Sequence, residues 1–202
     1  MHTLEQQPKD GDSLAKPDCI VRTAGARSLA WIIVILAAAF STFAAESALE
    51  YKVKAGFIYN FVKFVEWPAT ALGASNSSVV VGVLSDDPAA PVLQQALSGK
   101  SVNGRALEVR VLKETAGVGD CHLVFIGRTQ EGRVKDVLDQ LKEAPVLTVS
   151  ESDRFCQRGG MINLVRNDDS FRFEINLKAA ERASLKISSR LSGQATIVKN
   201  VK

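Results

Sequence analysis

The segment from residue 50 to residue 67 has the hydrophobic periodicity of an amphipathic helix. Its apolar side chains fall on one broad arc: Val53, Phe57, Ile58, Phe61, Val62, Phe64 and Val65. The opposite side of the helix is polar, and Pro68 is expected to end it. A membrane-surface helix would carry more Lys and Arg on its polar side. The pattern therefore predicts a helix whose aromatic side packs onto a sheet.

Lys54 falls inside this apolar arc, close to the start of the helix. A lysine can lay its aliphatic stem along a core while its amine reaches water. We therefore expect Lys54 to have a buried stem and a solvated ammonium group, which would leave the charge available to a partner.

Four short strand-like runs follow, and they predict strands at 79–84, 106–112, 121–127 and 146–150. The runs 79–84 and 121–127 are apolar throughout, as in buried strands, whereas 106–112 alternates as a half-buried strand does. Helical stretches lie between them, one capped by Ser85 or Asp86 with Pro88 in its first turn, the other opening at Thr129. This alternation predicts an α/β fold with a mostly parallel central sheet, flanked by helices on both faces.

The last third of the chain has a different pattern. Two strand-like runs, 159–166 and 170–176, flank an Asn-Asp-Asp turn and predict a C-terminal antiparallel hairpin. Strand alternation places Phe171, Phe173 and Ile175 on one face. Arg172, Glu174 and Asn176 then share the other face. A final helix is predicted over residues 177–192.

The beginning of the chain has the plan of a secretory signal. Arg22 and Arg27 precede an apolar run, and small residues near Ala45 offer cleavage points. We expect residues 1–45 to be an N-terminal extension with a cleaved signal peptide, and residues 46–202 to form a single exported domain. The run is long enough that a retained inner-membrane signal anchor is the alternative.

The charge of the chain is small and well mixed. The 202 residues carry a formal net charge of +3 without a basic cluster, which argues against nucleic-acid binding. Export leaves Cys121 and Cys156 in an oxidising compartment, where they could pair in a disulfide. The alternative is that they are two small buried residues.

No arrangement of residues indicates catalysis. His122 follows Cys121 on a predicted strand, so the two side chains face opposite sides and cannot form a dyad. One histidine and two cysteines are too few for a close-spaced zinc site, and we predict neither a cofactor nor a metal. The Gly159–Gly160 pair either makes a bend or brings backbone close to a ligand.

Several stretches together resemble the YfiR family of exported bacterial proteins. They are the helix KAGFIYNFVKFVEWP and residues 82–88, 121–127, 147–165 and 171–191. The resemblance implies a non-enzymatic periplasmic protein that binds the periplasmic domain of an inner-membrane diguanylate cyclase and represses it. Cyclic-di-GMP synthesis and biofilm formation then fall. It also implies an outer-membrane lipoprotein as a second partner and a homodimer.

The cysteines depart from the family pattern. One family disulfide joins the position of Cys156 to a cysteine seven residues later, where this chain has Asn163. The resemblance therefore does not imply redox control by that pair in this chain. A Cys121–Cys156 bond would be a different disulfide.

Two functions remain open at this stage. In the first, a regulator binds its partner through Ile162, Arg172, Glu174 and Asn176, with Lys54 as a further candidate. Arg172 and Glu174 could equally form an ordinary solvated cross-strand face. In the second, Lys54, Gly159 and Gly160 line the pocket of a small-ligand sensor without a cyclase partner.

Overall fold

A computed structural model describes residues 49–74, 77–84, 86–167 and 170–198. The predicted signal peptide lies outside these residues. Within them, no helix combines the length and the apolar character that crossing a membrane would require.

The described residues form two sheets. The strands are β1 (Val65–Glu66), β2 (Val79–Leu84), β3 (Ser101–Val102), β4 (Arg105–Leu112), β5 (Leu123–Ile126), β6 (Leu147–Ser150), β7 (Ile162–Asn167), β8 (Ser170–Ile175), β9 (Lys186–Ile187) and β10 (Thr196–Ile197). Strands β1 and β9 pair in a small antiparallel sheet, and the others form an eight-stranded sheet in the order β10-β8-β7-β6-β5-β2-β4-β3.

Helices connect and cover these strands. They are α1 (residues 49–64), α2 (Ala69–Leu72), α3 (Ala89–Leu97), α4 (Val134–Gln140), α5 (Leu177–Arg182) and α6 (Ser189–Ser192). Short 3₁₀ turns at Val118–Asp120 and Arg128–Arg133 precede β5 and α4.

The large sheet is mostly parallel, as predicted. Strands β4, β2, β5, β6 and β7 run in the same direction, and β8 returns antiparallel to β7 as the predicted hairpin. The chain moves outward from β2 to β4 and then crosses back to β5 on the other side of β2. Parallel sheets bind their ligands at the carboxyl ends of the strands beside such a reversal. We call the edge where these strands end the carboxyl edge, and the edge where they begin the amino edge.

The central strands β2, β5 and β6 are buried on both faces of the sheet. Val81, Val83 and Phe125 point to one side, where α1, α3 and α5 pack over them. Val80, Val124 and Ile126 point to the other side, against α4 and Phe155. These runs have no polar alternation because each strand lies between two apolar layers.

Three details of the predicted helices are wrong. Helix α1 stops at residue 64, because Val65 and Glu66 pair with Ile187 and Lys186. The final helix is broken: Ser184 has a φ of 59°, which ends α5, and the hydroxyl of Ser188 accepts a hydrogen bond from the Leu191 N–H to start α6. Val53 is 44% exposed and lies off the buried face of α1.

Candidate functional site at the carboxyl edge

Polar side chains collect where three parallel strands end. Asp87 follows β2, Arg128 follows β5 and Glu151 follows β6. Because these strands are neighbours, the residues after them lie side by side at the carboxyl edge. Helix α1 crosses above and adds Glu50 and Lys54. The fold thus gathers charged groups that are far apart in the sequence.

Lys54 is the centre of a buried ion network. Its ammonium nitrogen lies 2.6 Å from a carboxylate oxygen of Glu50 and 2.5 Å from one of Glu151, and only 2% of the side chain is exposed. Arg166, at the end of β7, lies 2.9 Å from the second Glu50 oxygen. The expectation that the Lys54 amine reaches solvent is therefore wrong. Glu151 supplies the buried negative charge that lets the ammonium group stay inside.

Aromatic rings complete the surroundings of this ammonium group. It lies 4.5 Å from the centre of the Tyr51 ring and 5.6 Å from that of Phe171, both within the range of cation–π attraction. Burial, followed by the nearby Asp87, Glu151 and Glu50 carboxyl groups, raises the pKa of Tyr51 to about 12. Tyr51 therefore keeps its proton throughout the physiological range.

Asp87 lies beneath this network and is 2% exposed. One carboxylate oxygen accepts a hydrogen bond from the Ala89 N–H at 2.8 Å, so Asp87 caps α3 where Ser85 or Asp86 was predicted. The other oxygen is buried without a hydrogen-bond partner among the described residues. Burial raises the pKa of this carboxyl group, and the Ala89 N–H partly offsets the effect.

Gly127 makes room for this carboxyl group. A Cβ atom at position 127 would lie 1.8 Å from the unpaired Asp87 oxygen. Only a glycine at position 127 therefore permits the Asp87 carboxyl group to lie so close to the backbone that follows β5.

Two cavities open on either side of Glu151. The smaller, of about 320 Å³, is lined by Glu50, Tyr51, Lys54, Arg128, Thr129, Glu151 and Arg166. The larger, of about 470 Å³, lies between the loop after β6 and the hairpin, and Arg128, Glu151 and Arg166 line it as well. The shared residues join the two cavities into one polar site along the carboxyl edge. Among the described residues, the guanidinium groups of Arg128 and Arg154 form no ion pair at this site.

The larger cavity also reaches the side of the hairpin that faces away from α1. Phe173 faces α1, with its ring centre 5.3 Å from that of Phe61, so Arg172 and Glu174 point to the opposite side. Val165, paired with Arg172, lies on that side too. We call Val165, Arg172 and Glu174 the outer hairpin face. Val165 and Arg172 are exposed, and Glu174 is half-buried.

Two of the predicted surface residues are buried. Ile162 pairs with Ile175, and this register puts it on the α1 side of the hairpin with no exposed surface. Asn176 is also fully buried. Its side-chain oxygen accepts a hydrogen bond from the Ala179 N–H at 3.1 Å, while its amide donates to the Cys156 oxygen at 2.9 Å. The prediction that both residues face a partner is therefore wrong.

Cys121 and Cys156 are free and buried, so the possible disulfide between them is not formed and the alternative of two small buried residues holds. The Cys121 sulfur packs against Gly82 on β2, whereas the Cys156 sulfur lies 3.6 Å from the Met161 and Glu174 oxygens beside the hairpin. Strands β5 and β6 separate these two places. A disulfide needs Cα atoms about 4.4–6.8 Å apart. Burial raises the pKa of Cys121 to about 11 and that of Cys156 to about 12.

The predicted pocket of Lys54, Gly159 and Gly160 does not form either. Gly160 is packed under the Phe155 ring, where a Cβ atom would lie 2.1 Å from a ring carbon, and Gly159 has a φ of 103°. The pair is a bend, and Gly159 lines a cavity separate from that of Lys54. The described ranges hold no group of three His, Cys, Asp or Glu side chains that could bind a metal ion.

Four members of this site were not predicted from the sequence: Asp87, Arg128, Glu151 and Arg166. A signal for them was present, because Asp87, Arg128 and Glu151 each lie within three residues of the end of a buried parallel strand. Residues in that position meet at one edge of the sheet. What the sequence does not give is which of these strands are neighbours.

Comparisons with known proteins place this fold in a family. No curated protein matches the chain. The crystal structure of a conserved domain protein from Vibrio cholerae O1 biovar El Tor str. N16961 matches with a TM-score of 0.50 and 14% sequence identity, which is a likeness of fold. The match covers 74% of this chain and 60% of that one, so the chain spans less than two thirds of that protein.

The family match covers most of the chain. The model of the YfiR/HmsC-like family matches residues 51–195, which include the carboxyl edge and the whole hairpin. This family is regulatory rather than catalytic, and its proteins are periplasmic. The chain belongs to the YfiR/HmsC-like family.

Proposed function

We propose that this protein is a periplasmic regulator that binds the periplasmic domain of an inner-membrane diguanylate cyclase and represses it. Cyclic-di-GMP synthesis and biofilm formation fall as a result. The observation that carries this proposal is the family match over residues 51–195. A cleaved signal peptide delivers the domain, and a retained signal anchor would leave it on the same side of the membrane.

The state of the histidine and cysteine side chains supports a protein that acts by binding a partner and not by catalysis. Both ring nitrogens of His122 are engaged with the backbone of Val80 and Ala71. Cys121 and Cys156 are buried, and their raised pKa values keep them as thiols, whereas the thiolate is the reactive form. None of these groups is in a position to attack or to deprotonate a substrate.

The outer hairpin face is the surface that we assign to the cyclase. It combines an exposed valine, Val165, with the charges of Arg172 and Glu174, beside the cavity of about 470 Å³. Arg154 also lines this cavity, and its guanidinium forms no ion pair with the residues that the structure describes. Protein interfaces are enriched in arginine and place apolar surface among polar groups. A periplasmic segment with exposed carboxylates fits this face. An outer-membrane lipoprotein that binds the same face would release the cyclase, and a homodimer would have to leave it open.

Measuring cyclic-di-GMP in the producing bacterium tests this assignment. Overproduction of the wild-type protein should lower the cyclic-di-GMP level, and Arg172→Glu should abolish the effect without unfolding the domain. Lys100→Glu is the control, because Lys100 is an exposed cation beside β3 at the far end of the large sheet. Equal repression by both variants would show that the outer hairpin face does not bind the cyclase. A cyclic-di-GMP level that does not fall when the wild-type protein is overproduced would contradict the proposed function.

A small-ligand sensor is the second candidate, favoured by the cavity of about 470 Å³. Ligand pockets commonly have volumes of about 300–1,000 Å³. Native mass spectrometry of the purified protein would detect a retained molecule. A ligand lost on Arg128→Ala would support this second function, and a ligand-free mass would count against it.

A further inference from the structure

The side-chain amide of Asn163 has hydrogen-bond acceptors at both of its ends. Asn163 lies on β7 and is 4% exposed, and the backbone oxygens of Ser150 and Ser152 lie 3.1 Å from one end of the amide. A backbone oxygen can only accept a hydrogen bond, so these two oxygens require the NH2 end of the amide. Both hydrogens of that NH2 group then hold the end of β6 and the residues that follow it.

The amide oxygen therefore faces the other way, toward the cavity of about 470 Å³. This end of the amide lies 3.3 Å from a carboxylate oxygen of Glu174, and both side chains line the cavity. Neither an amide oxygen nor an ionised carboxylate has a hydrogen to donate. Glu174 forms no ion pair with the residues that the structure describes. Asn163 and Glu174 thus present two adjacent acceptors to the cavity, which we call the acceptor pair.

Glu174 is the carboxylate of this cavity that is best placed to attract a cation. Glu131 and Glu151 also line the cavity, but each forms an ion pair with a basic residue. Asp153 is exposed, so water and salt screen its charge more strongly than that of the half-buried Glu174.

Three guanidinium groups line the same cavity and would repel a cation. Arg166 is paired with Glu50 at 2.9 Å. Arg128 and Arg154 are exposed, so their charges are screened by water. They follow β5 and β6, whereas the acceptor pair lies on β7 and β8. Their repulsion is therefore weaker than the attraction of a carboxylate in direct contact with the cation.

A primary alkylammonium group fits the acceptor pair. It has one positive charge and three N–H donors, so it can donate to the Asn163 oxygen and to the Glu174 carboxylate at once. Hydrogen bonds to a charged partner are roughly twice as strong as neutral ones. Val165 also lines the cavity, lies on the same side of the hairpin as Glu174 and is 36% exposed, so it offers apolar surface to the alkyl chain.

We propose that this cavity binds a ligand with a primary alkylammonium group, which bridges the Asn163 amide oxygen and the Glu174 carboxylate. The proposal specifies one end of the ligand in the second candidate function, the small-ligand sensor, and rests on that function. Glu174 also belongs to the outer hairpin face. A bound amine would therefore neutralise one charge of the surface that we assign to the cyclase.

NMR titration of the purified full chain with n-butylammonium chloride tests the site. The side-chain NH2 signals of Asn163 should shift and reach saturation, because this amide contacts the ammonium group. Tetramethylammonium has the same charge but no N–H group, so it should bind at least about tenfold more weakly.

Two variants separate the acceptor pair from the general charge of the cavity. Glu174→Gln keeps the shape of the side chain and removes its charge, and it should weaken n-butylammonium binding about tenfold. Glu131→Gln is the matched control, because Glu131 lines the same cavity but is paired with Arg158. This control should bind n-butylammonium as the wild type does.

Three results would overturn the site. The Asn163 signals could stay unchanged throughout the titration, tetramethylammonium could bind as tightly as n-butylammonium, or Glu174→Gln could bind n-butylammonium as tightly as the wild type. The comparison of the two cations needs no variant, so it decides the question even if Glu174→Gln does not fold.

Failure of this site can be told apart from failure of the proposed functions. A retained ligand without an amino group, detected by native mass spectrometry in this cavity, would overturn the amine site and leave the sensor function in place. Saturable n-butylammonium binding in a protein that does not lower cyclic-di-GMP would support the amine site and contradict the cyclase function.

Discussion

The two edges of the central sheet use their polar residues in opposite ways. At the amino edge, the polar side chains hydrogen-bond to backbone groups of the same chain. Trp67, Arg105 and His122 bind backbone oxygens, and His122 also accepts a hydrogen bond from one backbone N–H. At the carboxyl edge, Lys54, Glu50 and Glu151 satisfy one another, and two cavities open beside them. The polar side chains of the amino edge are thus bound to backbone groups, whereas those of the carboxyl edge form an ion network beside two cavities.

This difference shows which polar residues are free to act on another molecule. A histidine and a tryptophan are conspicuous in a sequence, yet here both hold a segment of the fold in place. The more informative residues are those that follow buried parallel strands. Two of them, Arg128 and Glu151, line both cavities because the sheet ends there.

Substitution of Lys54 should have the largest effect on stability. Lys54→Ala leaves the Glu151 carboxylate, 8% exposed, buried without its cation. Breaking a buried ion pair from one side costs about 3–5 kcal/mol. Urea denaturation should show this loss in the free energy of unfolding.

The matched control removes both charges of the pair. Lys54→Met with Glu151→Gln should be more stable than Lys54→Ala, because no uncompensated buried charge remains. If Lys54→Ala alone costs less than about 1 kcal/mol, the carboxyl-edge network would be as weak as a surface ion pair.

Two glycines on either side of β5 offer a direct comparison of the edges. At the carboxyl edge, Gly127→Ala would push a Cβ atom into the buried Asp87 carboxyl group, which Ala89 holds in place. Such overpacking costs about 1–3 kcal/mol. At the amino edge, a Cβ atom on Gly119 would meet nothing within 4 Å, so Gly119→Ala should stay within about 0.5 kcal/mol of the wild type.

Thermal or urea unfolding of the two variants measures this difference. Equal losses for Gly127→Ala and Gly119→Ala would mean that the close packing of Asp87 on Gly127 does not constrain the carboxyl edge.

The smallest expected effect is a dependence of stability on pH at the amino edge. Burial lowers the pKa of His122 in the folded protein, so the unfolded chain takes up the proton first as the pH falls. The contribution of His122 to stability is complete above the ordinary histidine pKa of about 6.5 and is lost as the pH falls through the lowered value.

Urea midpoints measured at a series of pH values in this window should fall for the wild type and much less for His122→Asn. A wild-type midpoint that rises as the pH falls would contradict the direction of this pKa shift.

The sequence was sufficient for the central part of the fold. Continuous apolar runs predict β2, β5 and β6, because strands buried on two faces have no alternation. Alternating runs bounded by turn residues predict β4 and the hairpin. The sequence was not sufficient for β1 and β9, which are two residues each and form by pairing Val65 with Ile187 and Glu66 with Lys186, far apart in the chain. Such pairs are set by tertiary packing and have no local pattern.

The site was harder to predict than the fold. Arg172 and Glu174 were placed on the correct side of the hairpin by strand alternation, but Ile162 and Asn176 were not. The register of β7 against β8 places Ile162 on the buried side of the hairpin. Asn176 is buried because its side chain caps α5. Lys54 was expected to reach water because its partner Glu151 lies 97 positions further along the chain.

Crosslinking in intact cells from single positions tests the central claim most directly. A photoreactive amino acid would replace Arg172 on the outer hairpin face or, as a control, Lys100 beside β3, and captured proteins would be identified by mass spectrometry. We predict that position 172 captures an inner-membrane protein with a cytoplasmic diguanylate cyclase domain, and that position 100 does not. Capture of that cyclase from position 100 alone, or from neither position while it is present in the membrane, would contradict the account.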